Sequence, residues 1–203
     1  MNEAVIKKGL DTIVQVDQDI AESFQELGYP EPRFRPPGFE TFLATIVSQQ
    51  ISTEAARAIM GRVRVLLPEL QPDKLLALPE GALREVGLSG RKVEYATNLA
   101  KEIVDGSFVP EELAVLDDES AIQEIVALRG FGRWSAEVYL MFSLERQDIF
   151  PADDLALRLA LQKLKGMDAR PTPKQSRDLV AQWTPWRSVG SLFLWHFYRG
   201  APT

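Results

Sequence analysis

Two groups of residues in this chain have the types and spacing to do chemistry. The run Leu128-Arg129-Gly130-Phe131-Gly132-Arg133-Trp134-Ser135-Ala136 sets two glycines around one residue, in a turn between two helical patterns. Such a turn lets backbone N–H groups face an anion at the start of the second helix, with no side chain in the way. A phosphate fits that description, and contacts from Gly130, Gly132 and the Ser135 hydroxyl would position a strand without reading its sequence. Twenty positions past Trp134 stands Asp154, just after Pro151, where a new helix should begin. A carboxylate there caps the helix or serves catalysis. Asp153 and Asp154, being adjacent, do not share a helix face, so one can cap while the other projects into a site.

Two more segments join these. Ser48-Gln49-Gln50-Ile51-Ser52 lies between two helical patterns, and Pro185-Trp186-Arg187-Ser188 opens the last one. Taken in order, the four segments resemble the helix-hairpin-helix and Gly/Pro-Asp signature of the DNA glycosylase superfamily, most closely its AlkA-type alkylpurine branch. The match covers most of the chain from about residue 38 onward. One such motif is weak, but the set in family order is specific.

The resemblance implies roles residue by residue. Asp154 is the catalytic carboxylate and Asp153 the cap. Departure of a base leaves an oxocarbenium-like sugar, which a carboxylate stabilises, or it orients the attacking water. Strand-nicking members carry a Schiff-base lysine where this chain has Trp134, which implies a monofunctional enzyme that leaves an abasic site uncut. Trp134 and Trp186 are the implied walls of the base pocket, since an indole face attracts an electron-poor or cationic alkylpurine. The base must be flipped out, and Gln50, or its neighbour Gln49, fills the gap as the intercalating wedge. Gly130, Gly132, Ser135 and Arg133 contact the DNA backbone. The family's hairpin carbonyls hold a monovalent cation, here those of Leu128 and Gly130; no other cofactor and no side-chain metal site is expected. Val138 and Leu155 depart from the tyrosines usual in the bacterial enzymes, which opens the pocket. The expected function is hydrolytic release of bases such as 3-methyladenine or 7-methylguanine from double-stranded DNA, the first step of base excision repair. Alternatives are a glycosylase of the same fold for deaminated or oxidised bases, and a non-catalytic helix-hairpin-helix DNA-binding module.

Composition narrows the field. The 203 residues are 45% hydrophobic and 26% charged, ordinary for a globular protein. The absence of cysteine excludes disulfides, zinc fingers, thiol nucleophiles and the four-cysteine iron–sulfur cluster of some superfamily members. One histidine, His196, leaves little scope for a histidine metal site, and it reads as helix packing together with Phe193, Trp195 and Phe197. No membrane-length apolar run and no signal-like start are present, so a cytoplasmic protein is expected, by family default a monomer. The net charge of −6 runs against DNA binding, which usually shows as excess Lys and Arg. A local basic strip is enough, however, and acidic residues collect elsewhere, at Glu111-Glu112 and Asp117-Asp118-Glu119. A third class, a helical interaction domain unrelated to DNA, would suit that charge.

The elements that must carry these residues are all helical: the expectation is an all-α fold of two lobes with a cleft between them and the helix-hairpin-helix at its mouth. Residues 1–37 supply one long helix over 4–27 and a Pro-rich linker, packed with the lobe 144–203 that carries Asp154; residues 38–143 form the other lobe. Helices are expected over 39–50, 52–67, 72–78, 80–86, 91–104, 118–128, 132–144, 153–164, 173–183 and 186–198. Val86-Gly87-Leu88-Ser89-Gly90 reads as a tight turn between helices or a looser second hairpin.

Overall fold

The computed structural model describes residues 1–200, and among these every regular element is a helix. In order they are α1 (Glu3–Ile13), α2 (Gln18–Leu27), α3 (Phe39–Ser48), α4 (Thr53–Leu66), α5 (Pro72–Leu76), α6 (Ala82–Glu85), α7 (Gly90–Val104), α8 (Asp118–Ala127), α9 (Arg133–Phe142), α10 (Leu155–Leu164), α11 (Pro173–Leu179) and α12 (Arg187–Gly200). Short 3-10 turns at Pro110–Ala114 and Ala181–Trp183 complete the set. The all-α expectation holds. No described helix is long and apolar enough to cross a membrane.

The chain divides into two compact units, Arg35–Ala136 and Met1–Phe34 with the residues from Glu137 on. The boundaries expected after 37 and 143 thus lie after Phe34 and after Ala136, the second inside α9.

In the unit Arg35–Ala136, α3 supplies the apolar spine. Phe39, Phe42, Leu43, Ile46 and Val47 recur at the spacing of one helix face and are all buried. The face packs on α4 and α7, where Ala96, Leu99 and Ala100 of α7 are buried. Small residues on α7 let the helix axes approach. The Phe42 ring meets Phe108 edge-on at 5.3 Å and Phe131 at 5.5 Å, which pins the turn after α8 to the middle of α3. The Val86–Gly90 segment is a connecting turn between α6 and α7, with Gly87 at φ 107 and the Ser89 hydroxyl capping α7 at Lys92 N–H.

In the other unit, α12 packs against α1, α2 and α10. Val189, Leu192 and Phe193 are buried with Leu157, Ala160 and Leu161 of α10 and Ile6, Leu10 and Ile13 of α1. The single helix expected over 4–27 is in fact two. Apolar periodicity runs through residues 14–17, but Asp17 breaks it by capping α2, its Oδ1 accepting from Ile20 N–H at 3.3 Å. That carboxylate is 2% exposed and is held by Lys165 Nζ at 2.6 and 2.8 Å, Trp183 Nε1 at 2.8 Å and Gln182 Nε2 at 3.2 Å. Burial alone would raise its pKa; the bonds from Lys165 and Trp183 outweigh this and lower it. These partners lie far along the chain, so no local pattern marks the break.

Candidate active site

The hairpin is built by the end of α8, the start of α9 and what lies beneath them. Leu128 ends α8 with an extended backbone, and its carbonyl accepts Phe131 N–H at 3.1 Å, closing the turn. Gly130 sits between at φ 93, a conformation that favours glycine, and a Cβ there would run into the Tyr95 ring of α7. Gly132 is exposed, its carbonyl accepting Ala136 N–H at 3.1 Å in the first turn of α9, and nothing would crowd a Cβ at this position. Ser135 follows, half-buried. Trp134 is 43% exposed, so much of its indole remains accessible.

Arg133, expected on the DNA backbone, forms a two-pronged pair with Glu119 at 2.9 and 2.8 Å. The guanidinium holds the Glu119 carboxyl below its usual range. A phosphate contact would have to compete with that exposed pair, which is weak enough to exchange.

The two glutamines part company. Gln49 Nε2 donates to the Gly130 carbonyl at 2.8 Å, and Gln49 is half-buried. Gln50 is exposed at φ 58. Just before them, Lys92 Nζ donates to the Val47 carbonyl at 2.8 Å, closing the end of α3, and burial lowers the pKa of this lysine. Ser52, just after, caps α4 at Ala55 N–H.

The carbonyls of Leu128 and Gly130, implied as the ligands of a cation, each accept one hydrogen bond, from Phe131 N–H and from the Gln49 amide, which leaves each oxygen a second lone pair for such a contact.

In the other unit, the segment before α10 carries Asp154. Its carboxylate Oδ1 accepts Leu157 N–H at 2.8 Å and the Trp195 indole N–H at 3.2 Å. Asp154 is therefore itself the N-cap of α10, and the expectation that Asp153 caps while Asp154 projects is corrected: Asp153 is exposed outside the helix. The side chain that the resemblance makes the catalytic carboxylate is thus also the cap. Leu155, next to it, is 53% exposed.

The start of α12 is tied to the segment that precedes Asp154 in the chain. Arg187 grips Asp148 with Nε at 2.7 Å and Nη2 at 2.9 Å. The Ser188 hydroxyl accepts Ile149 N–H at 2.9 Å and donates to the Arg146 carbonyl at 2.7 Å. The Pro-Trp-Arg-Ser segment thus clamps residues 146–149, just ahead of the carboxylate.

Trp186 does not present the open face expected of it. It is 8% exposed, packed where Gly9 of α1 leaves room, with the Lys8 ammonium 5.5 Å from its ring centre. Trp195, read from sequence as packing, is the tryptophan at the carboxylate. A half-buried indole needs an acceptor for its N–H, which was the available signal. Its ring lies 5.9 Å from Phe142, and it lines a cavity of about 350 Å³ with Pro30, Pro32, Arg33 and His196. His196 Nε2 lies 3.2 Å from the Leu27 carbonyl, in keeping with a structural role.

The model of the HhH-GPD superfamily of base excision DNA repair proteins matches residues 43–185. DNA-3-methyladenine glycosylase 1 of Schizosaccharomyces pombe is 30% identical over 162 residues, 77% of this chain and 71% of that protein. DNA-3-methyladenine glycosylase 2 of Escherichia coli is 29% identical over 84% of this chain, but the match spans only 62% of that longer protein. A solved structure of a Schizosaccharomyces pombe 3-methyladenine DNA glycosylase in complex with abasic DNA superposes with a TM-score of 0.86 at 25% identity, covering 96% of this chain and 98% of that one.

Proposed function

The chain belongs to the HhH-GPD superfamily of base excision DNA repair proteins, and on that footing we propose that it is a monofunctional DNA glycosylase hydrolysing the N-glycosidic bond of alkylated purines. The observation that carries this reading is the carboxylate of Asp154, oriented by Leu157 N–H and the Trp195 indole N–H at the head of α10. As the C1′–N bond lengthens, positive charge grows on the sugar, and a carboxylate fixed in advance stabilises it without reorganising. The same group can orient a water for attack on the sugar. With Trp134 where a lysine nucleophile would stand, the product is a free base and an abasic site, the strand left intact.

Alkylated purines suit such a site because they leave readily, so little hydrogen-bond discrimination is required of the pocket. The exposed indole of Trp134 supplies a stacking face for an electron-poor ring. Flipping the damaged nucleotide costs a few kcal/mol, and a side chain of the 49–52 loop offsets it by filling the vacated stack. Backbone groups of Gly130 and Gly132 with the Ser135 hydroxyl hold the phosphates. The substrate is double-stranded DNA, and the protein works as a cytoplasmic monomer.

The test is chromatography of bases released from methylated duplex DNA by the purified protein. Appearance of free 3-methyladenine or 7-methylguanine, without strand cleavage, is the expected result. Release from deaminated or oxidised duplexes alone would move the assignment to another lesion class. Duplex binding without release of any base would leave a DNA-binding module.

A further inference from the structure

Gln49 and Gln50 are equivalent in the sequence, but their surroundings differ. Gln49 turns inward, its amide N–H on the Gly130 carbonyl at 2.8 Å across 81 positions of chain. Gln50 is exposed, with its backbone at φ 58. A non-glycine residue persists in that conformation only where its neighbours over-determine it. Here the neighbours do so from both sides: Lys92 Nζ holds the Val47 carbonyl before it, and the Ser52 hydroxyl caps α4 after it. Farther back on α3, Phe42 packs edge-on against Phe131 at the hairpin tip. The helix that ends in this loop is therefore joined to the hairpin at its middle by ring packing and at its end by Gln49.

We propose that Gln49 is a positioning residue that fastens the 49–52 loop to the phosphate-binding hairpin, so that Gln50 alone enters the duplex, in register with the strand the hairpin holds. The proposal rests on the glycosylase reading above and deepens it. A neutral amide joins the two binding segments through the Gly130 carbonyl, one of the two oxygens that the family resemblance would give to a cation. Phosphate contact at the hairpin and gap filling at the loop then act as one rigid pair, and neither glutamine can take the other's role.

The experiment uses a duplex with a non-cleavable abasic analogue opposite 2-aminopurine, alongside the same duplex undamaged. Wild-type protein should prefer the abasic duplex and change the 2-aminopurine fluorescence as Gln50 meets the orphaned base. Gln49→Met keeps length and volume but loses the donor. It should weaken abasic-duplex binding about five- to tenfold, the range of one lost hydrogen bond, and reduce the fluorescence change, with a smaller loss of affinity for the undamaged duplex. On methylated duplex its KM should rise more than its kcat falls. Gln49→Glu, which sets an anion against the carbonyl, should be worse. The double variant Gln49→Met/Gln50→Ala should match Gln50→Ala alone, because Gln49 acts only through its neighbour. Additive losses, or a Gln49→Met protein indistinguishable from wild type, would overturn the proposal while leaving the glycosylase reading intact. A wild type with no preference for the abasic duplex would overturn the proposal, whereas the glycosylase reading falls only if no base is released from methylated duplex.

Discussion

Asp154 holds the cap of α10 and, on the proposed reading, the catalytic carboxylate, roles that the sequence divides between neighbours. Its Oδ1 caps α10 and accepts the Trp195 indole N–H, so the group the proposed reaction uses is immobilised by the fold's own hydrogen bonds. Substitution effects can separate the tasks. Asn is as good an N-cap as Asp, so Asp154→Asn should retain the melting temperature and abasic-duplex binding while base release falls by at least about 10²-fold, the scale of a lost electrostatic contact in the transition state. Equal rates for wild type and variant would remove Asp154 from the mechanism. Asp154→Ala should in addition lose about 1 kcal/mol of stability with the cap. Trp195→Phe keeps an aromatic ring beside Phe142 but deletes the N–H. We expect kcat to fall about tenfold, as for one hydrogen bond to a charged group, with KM nearly unchanged. A kcat at the wild-type level would show that Leu157 N–H alone orients the carboxylate. The motif pointed to Asp154, but its partner Trp195 lies 41 positions away and looked like one more apolar residue of a packed helix.

At the scale of elements, motif segments hold one another in place, as Gln49 does on the Gly130 carbonyl. The sequence makes the Pro-Trp-Arg-Ser start of α12 the expected source of a pocket tryptophan. Its role in the structure is a clamp, Arg187 on Asp148 and Ser188 on the backbone at Arg146 and Ile149. Ser188 is fully buried, so Ser188→Ala leaves the Ile149 N–H without its acceptor. That should cost about 1–3 kcal/mol, read from urea unfolding, and should slow base release while leaving undamaged-duplex binding alone. A wild-type unfolding midpoint would mean that water replaces the hydroxyl. Helix extents were largely legible, because Gly, Pro and the Ser, Thr and Asp caps mark the ends: Ser52, Ser89, Asp117 and Thr172 each cap the helix that follows. The break between α1 and α2 was not legible, since the apolar period continues through it and the deciding partners of Asp17 come from residues 165, 182 and 183.

For the whole molecule, buried Asp17 is an electrostatic commitment outside the site. Removing one partner of a buried, hydrogen-bonded pair costs about 3–5 kcal/mol, so Asp17→Ala should lower stability by about that much, measured by urea unfolding near neutral pH. The pH dependence follows from the directions of the two shifts. Asp17 has a lowered pKa in the folded state, so its contribution is complete above the usual carboxylate value of about 3.9 and is lost as pH falls through the lowered one. Lys165 has a raised pKa: burial opposes the charge, but Asp17 and Asp19 outweigh it. Its contribution is complete below about 10.4 and disappears as pH rises through the raised value. The stabilisation from this cluster should be flat between those limits. In Asp17→Ala the acid loss below about pH 4 should be reduced; an unchanged acid limb would place the acid-sensitive groups elsewhere.

The sequence by itself determined the helical class, most helix ends, the hairpin and the carboxylate after Pro151, because these depend on local rules: apolar period, glycine where the backbone turns left, capping residues, and the spacing of a short motif. It also determined the family, since four segments in fixed order are more specific than any one. Tertiary structure decided which tryptophan meets Asp154, which glutamine faces the hairpin, what the Gly130 carbonyl is bonded to, and where the N-terminal helix breaks. Each of those is a pairing between residues tens to more than a hundred positions apart, settled by which donors and acceptors are buried together, and no periodicity along the chain carries that information.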